Sequence, residues 1–154
     1  MQNLSTTYRE DIWDNNEIFV PAEKGKTSFI DVRDILEISA LALTEAGHLN
    51  KAHELSGSEA LDYFQAAEPF TKILGRKIVY TNPSMCSFFL RMRKGETPVA
   101  FILVMIALYT EAKLGLAKKV NVEVKRLLES DLISFEQFIS DNRSLWAKQQ
   151  NISV

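Results

Sequence analysis

Phe88, Phe89, Met92, Phe101, Met105 and Tyr109 recur at helical spacing over two consecutive segments of the chain. Flexible thioethers beside aromatic rings make a compliant, polarisable surface, suited to a flat ligand such as a quinone or dye. The same stripe would also serve as plain core packing, and its spacing does not separate the two roles.

Other chemistry is weakly encoded. A pyrophosphate needs glycines that let backbone N–H groups approach it at a helix start, as in G-x-G-x-x-G. The six glycines stand one by one at 25, 47, 57, 75, 95 and 115, which reads as turns and helix stops. This leaves no cofactor-binding residue to name. His48 falls in a turn and His53 on an expected strand, and no Cys or carboxylate stands at a ligand spacing from them, so no metal site is expected. Asp31 and Asp34 open a helix, where carboxylates cap free N–H groups and meet the dipole; this explains them better than acid–base work does. Cys86 lies on an apolar helix without a neighbouring histidine and reads as a buried thiol. No catalytic residue emerges.

The elements that would position the stripe follow from caps and periodicity. Leu4, Tyr8, Ile12 and Trp13 predict a helix over 1–14, with Asn3 or Ser5 as its cap. Short strands are expected at Glu17–Val20 and Thr27–Ile30. Asp31 then caps a helix in which Ile35, Leu36, Ile38, Leu41 and Leu43 occupy nearly every face, the pattern of an element buried on several sides. Gly47 is read as its stop, and a strand follows at Lys51–Leu55. Asp62 with Gln65 forms the capping pattern of a helix over Tyr63–Leu74, bent at Pro69. After a strand at Lys77–Tyr80, helices are expected from Ser84, over Val99–Leu114, over Val122–Leu128, and from Ser134 to Trp146.

With 154 residues, 46% of them hydrophobic, the chain suits one domain with a sizeable core. We take it as residues 1–148, followed by a frayed tail over 149–154. A net charge of −2 gives no basic field for nucleic acid. One cysteine excludes an internal disulfide and suits the cytoplasm. The longest apolar run, Val99–Leu108, is shorter than the ~20 residues of a membrane helix and reads as a buried helix.

Several stretches together resemble the carboxyl-terminal half of the NmrA-like family: FIDVRDI at 29–35, ALTEAGH at 42–48, K-x-x-E-L-S-G at 51–57, S-x-E-A-L-D-Y at 58–63, Leu74-Gly75-Arg76, Leu108-Tyr109 and Ser134-Phe135-Glu136. That family is an atypical branch of the short-chain dehydrogenase/reductases, with NAD(P)H-dependent quinone and azo-type reductases among its members. The resemblance implies an α+β portion of a Rossmann protein, with about six helices, a few short strands and the dinucleotide-binding half absent. It also implies that the segment bearing the stripe helps to form a substrate pocket. Met1, Gln2 and Asn3 would follow the loop beside the nicotinamide, so the candidate pocket is Asn3, Phe88, Met92, Phe101, Met105 and Tyr109. Relatives usually place a Gly-Arg and a proline before the last helix, where this chain has Glu129, Ser130 and Leu132.

The leading expectation is the substrate-binding half of an NAD(P)H-dependent oxidoreductase for quinone-like or azo compounds, inactive alone, that forms a homo-oligomer or complements an amino-terminal half. The alternative is a non-enzymatic binding or regulatory module.

Overall fold

The computed structural model describes residues 1–147; the expected tail at 149–154 lies outside them. Among the described residues seven α-helices account for most of the regular structure: α1 (Arg9–Asp14), α2 (Val32–Thr44), α3 (Tyr63–Leu74), α4 (Met85–Lys94), α5 (Val99–Lys113), α6 (Glu123–Leu128) and α7 (Phe135–Asp141). Four two-residue strands pair in two small sheets. β1 (Glu17–Ile18) runs parallel to β4 (Val79–Tyr80), and β2 (Thr27–Ser28) antiparallel to β3 (Ala60–Leu61).

Side-chain caps set most helix starts. Asp31 Oδ1 accepts from the Arg33 N–H at 2.8 Å, Ser84 Oγ from Ser87 at 3.1 Å, and Ser134 Oγ from Gln137 at 3.1 Å. Asp62 and Gln65 satisfy each other's backbone N–H groups, a complete capping box. Gly75 closes α3 at φ +66°, and the helix runs unbroken through Pro69. The amino-terminal segment departs from expectation. A 3-10 turn at Gln2–Leu4 precedes α1, whose cap position is Tyr8, so neither Asn3 nor Ser5 caps it. The predicted final helix likewise stops at Asp141, and a 3-10 turn (Arg143–Leu145) carries the chain to Trp146.

One large core joins the faces of most elements. Leu4, Tyr8 and Ile12 meet Phe70, Phe88, Ile102, Phe135, Phe138 and Trp146 there, all buried. Trp146 stacks edge-on with Phe70 at 5.0 Å between ring centroids, and the Arg76 guanidinium donates to the Trp146 and Ile12 carbonyls. A smaller core holds Ile38 of α2 against Val124 and Leu128 of α6.

Several expectations change on this scaffold. Lys51–Leu55 forms no strand, and Gly47 sits three residues past the helix end, in a turn with φ +98°, while Glu45 leaves α2 extended. Helix α2 is not enclosed: Asp34 and Ile38 are its buried residues, whereas Leu36 and Leu43 are 62% and 87% exposed. Helix α5 buries a single stripe of Ile102, Met105, Tyr109 and Ala112, leaving Phe101, Leu103, Val104 and Leu108 about half exposed. An all-round apolar helix needs cover on every side, and among the described residues α4 and the 3-10 turn at Leu116–Lys118 cover one side of α5. Cys86 is exposed, the reverse of the expected buried thiol. The turn before α7 takes a left-handed residue at Glu129, φ +52°, a conformation that glycine adopts without cost.

Candidate functional site

A cavity of about 430 Å³ opens between the amino-terminal turn, β2 and helix α5. Each wall comes from an element already described. The 3-10 turn and α1 present Asn3, Leu4 and Tyr8; β2 and the extended residues after it bring Thr27 to Ile30; Tyr63 enters from the first turn of α3. Helix α5 supplies Phe101, Met105 and Tyr109 at spacings of four, so one helical face runs along the cavity.

Asn3, Phe101, Met105 and Tyr109 therefore stand together as lining residues, whereas Phe88 and Met92 do not reach the cavity. Phe88 lies beneath it, fully buried, with its ring edge-on to Tyr109 at 5.8 Å and stacked on Phe19 at 6.4 Å. Met92 is partly buried and packs against the large core. These two belong to the stripe of α4, and α4 stacks behind α5; helical spacing along each segment could not distinguish a helix in front from one behind.

The polar part of the lining comprises Asn3, Glu111 and several hydroxyls, among them those of three tyrosines. Tyr8 Oη and Tyr109 Oη share a short hydrogen bond. The Tyr63 and Tyr109 rings meet edge-on at 6.2 Å, and Tyr63 and Thr27 line the same cavity. All three phenols are buried, and burial pushes each of them up, well beyond the ordinary tyrosine range. They stay protonated at neutral pH. Sequence reasoning took Tyr8 as a stripe residue and Tyr63 as a helix start; the signal that it missed is that both are tyrosines where phenylalanine would pack as well, and buried hydroxyls need partners.

The carboxylates do structural work. Asp31 is fully buried and receives Gln2 Nε2 at 3.1 Å besides Arg33, while Gln2 Oε1 accepts from the Val32 N–H, so the pair fastens the amino-terminal turn to α2. Burial alone would raise the Asp31 pKa, but the donors from Arg33 and Gln2 hold it below the usual carboxylate value. Asp34 is pushed up by burial, against the Ile133 N–H that it accepts. The histidines, expected apart on a turn and a strand, meet with Nδ1 of His48 3.0 Å from Nε2 of His53. No cluster of three or more metal-ligating side chains occurs among the described residues.

Gly25 and Gly57 face backbone instead of open space: a Cβ would stand 2.5 Å from Ala112 C at the first and 1.7 Å from Phe29 O at the second. At the starts of α2 and α3 an aspartate already occupies the N–H groups that a phosphate would need. These two glycines and these two helix starts offer no open phosphate cradle.

The segment that builds the cavity also carries the likeness to known proteins. No protein-family model matches the chain. It is 31% identical over 149 residues to agroclavine dehydrogenase of Claviceps fusiformis, spanning 95% of this chain and 52% of that protein. It is 38% identical over 80 residues to an NAD(P)H azoreductase of Xenophilus azovorans, spanning 52% of this chain and 28% of the relative. In structure, it superposes on an NADPH-dependent quinone oxidoreductase of Escherichia coli with a TM-score of 0.82 at 20% identity, over 90% of this chain and 50% of that one. The chain corresponds to the carboxyl-terminal part of an NmrA-like protein. As an NmrA-like segment it spans about half the length of the full-length relatives that it matches end to end. No helix among its described residues is long and apolar enough to cross a membrane.

Proposed function

We propose that this NmrA-like segment is the substrate-binding portion of an NAD(P)H-dependent oxidoreductase, taking quinone-like or azo compounds, with the dinucleotide held by residues outside it. The observation that carries the reading is the aromatic cavity: about 430 Å³, walled by Phe101, Met105 and three tyrosines, it has the size and softness for a flat ring system. The absence of a phosphate cradle in the described residues explains why the segment by itself would be inactive. The reading places the protein in the cytoplasm. It also assigns the exposed outer faces of α5 and α2 to a covering partner, either a second copy of the chain or a complementing amino-terminal half.

The test is direct binding. Titrating the chain with a quinone or a neutral azo dye should quench the fluorescence of Trp13 and Trp146 saturably, while NADH and NADPH should give no saturable heat by calorimetry. Unsaturable quenching by both ring compounds would return the cavity lining to plain core packing.

A further inference from the structure

We propose that His48 and His53 form a two-imidazole site for a late first-row divalent cation, copper(II) foremost, in the segment between α2 and β3. The site stands apart from the aromatic cavity, which neither histidine lines.

The spacing of two nitrogens is the main observation. His48 Nδ1 and His53 Nε2 stand 3.0 Å apart, and the rings meet at 61° with their centroids 5.1 Å apart, so nitrogen faces nitrogen. Two imidazole nitrogens that share one cation at about 2.05 Å each stand about 2.9 Å apart at a right angle and about 3.3 Å apart at the tetrahedral angle. The observed separation falls between these values, so a cation requires the two rings to rotate and the backbone to travel little. Without metal, one ring donates its N–H to the other. A cation takes both facing lone pairs, and the donating ring carries its proton on its other nitrogen instead, which leaves the proton count unchanged.

The backbone keeps the rings within reach of each other. His48 opens a turn closed by the Lys51 N–H on its carbonyl at 3.1 Å, with Asn50 left-handed at φ +58°. Beyond His53 the chain is fastened to the stretch before α6. Lys119 pairs with Glu54, Asn121 Nδ2 donates to the Glu54 carbonyl at 3.1 Å, and the Asn121 N–H donates to Ser56 Oγ at 2.6 Å. From 45 to 54 every other residue is exposed, whereas these two histidines are half-buried. Rings already positioned lose little freedom on binding, which favours affinity. Imidazole nitrogen selects copper(II), nickel(II) and zinc(II) over the oxygen-seeking magnesium and calcium, and copper(II) leads that series. With two imidazoles as protein ligands the site is an exchangeable one, unlike the closed four-ligand site of a structural zinc. The bound cation bridges residues 48 and 53 in the folded chain, so it raises the melting temperature by linkage.

The experiment uses the untagged full chain carrying Cys86→Ser, because the exposed thiol would itself bind zinc and reduce copper(II). Copper(II) chloride is titrated at neutral pH, and pulsed electron paramagnetic resonance counts the imidazoles on the bound ion through their remote ring nitrogens. One equivalent should bind saturably and carry two imidazoles. His48→Ala and His53→Ala should each weaken binding about tenfold or more, a loss no smaller than that of removing an outer-shell partner, and each should leave one imidazole. The double variant should show none. Zinc chloride should bind more weakly at the same residues, raising the melting temperature of the Cys86→Ser protein and leaving that of the double variant unchanged. A Cys86→Ser protein with fewer than two imidazoles on the first equivalent of copper overturns the site, and so does an affinity that both substitutions leave unchanged. Should a histidine variant fail to fold, the imidazole count in the Cys86→Ser protein decides by itself.

Discussion

Gly57→Ala perturbs the fold at one backbone contact and should be felt in the cavity. The new Cβ would lie 1.7 Å from the Phe29 carbonyl oxygen and 2.5 Å from its carbon, both main-chain atoms that no rotamer change can move aside. The strand segment at Ser28–Phe29 or the turn at Gly57 must therefore retreat, well over an ångström, to reach an ordinary contact. That motion strains the bonds that tie the two segments, the Gly57 N–H donating to Ser28 Oγ at 2.9 Å and Ser28 Oγ donating back to the Gly57 carbonyl at 3.4 Å. Overpacking of this kind costs roughly 1–3 kcal/mol, and a weakened hydrogen bond adds about 1 kcal/mol. A total of about 3 kcal/mol lowers the melting temperature of a chain this size by roughly 6–12 °C. Scanning calorimetry reads the shift, with Gly95→Ala as the control: there a Cβ meets nothing closer than Met92 O at 3.6 Å, and the change should stay within about 0.5 kcal/mol. Because Ser28 and Phe29 line the cavity, quinone affinity should fall in Gly57→Ala and stay unchanged in Gly95→Ala. A Gly57→Ala protein that melts within about 2 °C of wild type would refute the close-approach reasoning.

Stability should decline on the alkaline side. Tyr8, Tyr63 and Tyr109 have folded pKa values raised by burial above the unfolded value of 10.0, and Tyr80 is pushed up to about 12; above pH 10 the unfolded chain thus holds fewer protons, and unfolding is favoured as pH rises through the folded values. Urea midpoints should be level from pH 8 to 9.5 and fall from pH 10 upward, with a shallower fall in Tyr109→Phe; a level profile to pH 11.5 would contradict the buried, neutral phenols. The exposed face of α5 supplies another test: Leu103→Lys with Leu108→Lys, at 55% and 56% exposure, should leave the melt close to wild type and shift sedimentation toward monomer, whereas Ile102→Lys, at 0%, should abolish folding. Sedimentation as a monomer by both wild type and the double lysine variant would remove the case for a second copy on this face.

The sequence by itself determined most of the helix starts. Asp31, Asp62 with Gln65, Ser84 and Ser134 each satisfy an N–H two or three residues away, so the whole interaction lies within a short window of the chain. The lack of a glycine-rich phosphate loop is equally local, and so is the order of segments that marks the NmrA-like likeness. Burial was different, because periodicity states that a side chain is apolar and not what covers it. Tertiary structure decided that α5 hides Ile102, Met105 and Tyr109 but leaves Leu103 and Leu108 out, that α2 rests on α6 by one face, and that Cys86 points to solvent. It turned Gly25 and Gly57 from turn residues into close contacts with distant backbone. It also gathered Tyr8, Tyr63 and Tyr109, separated by as many as 101 residues, into the lining of one cavity. Contacts across such separations arise where α1, α3 and α5 converge, and the side chains along any one of these helices carry no record of the others.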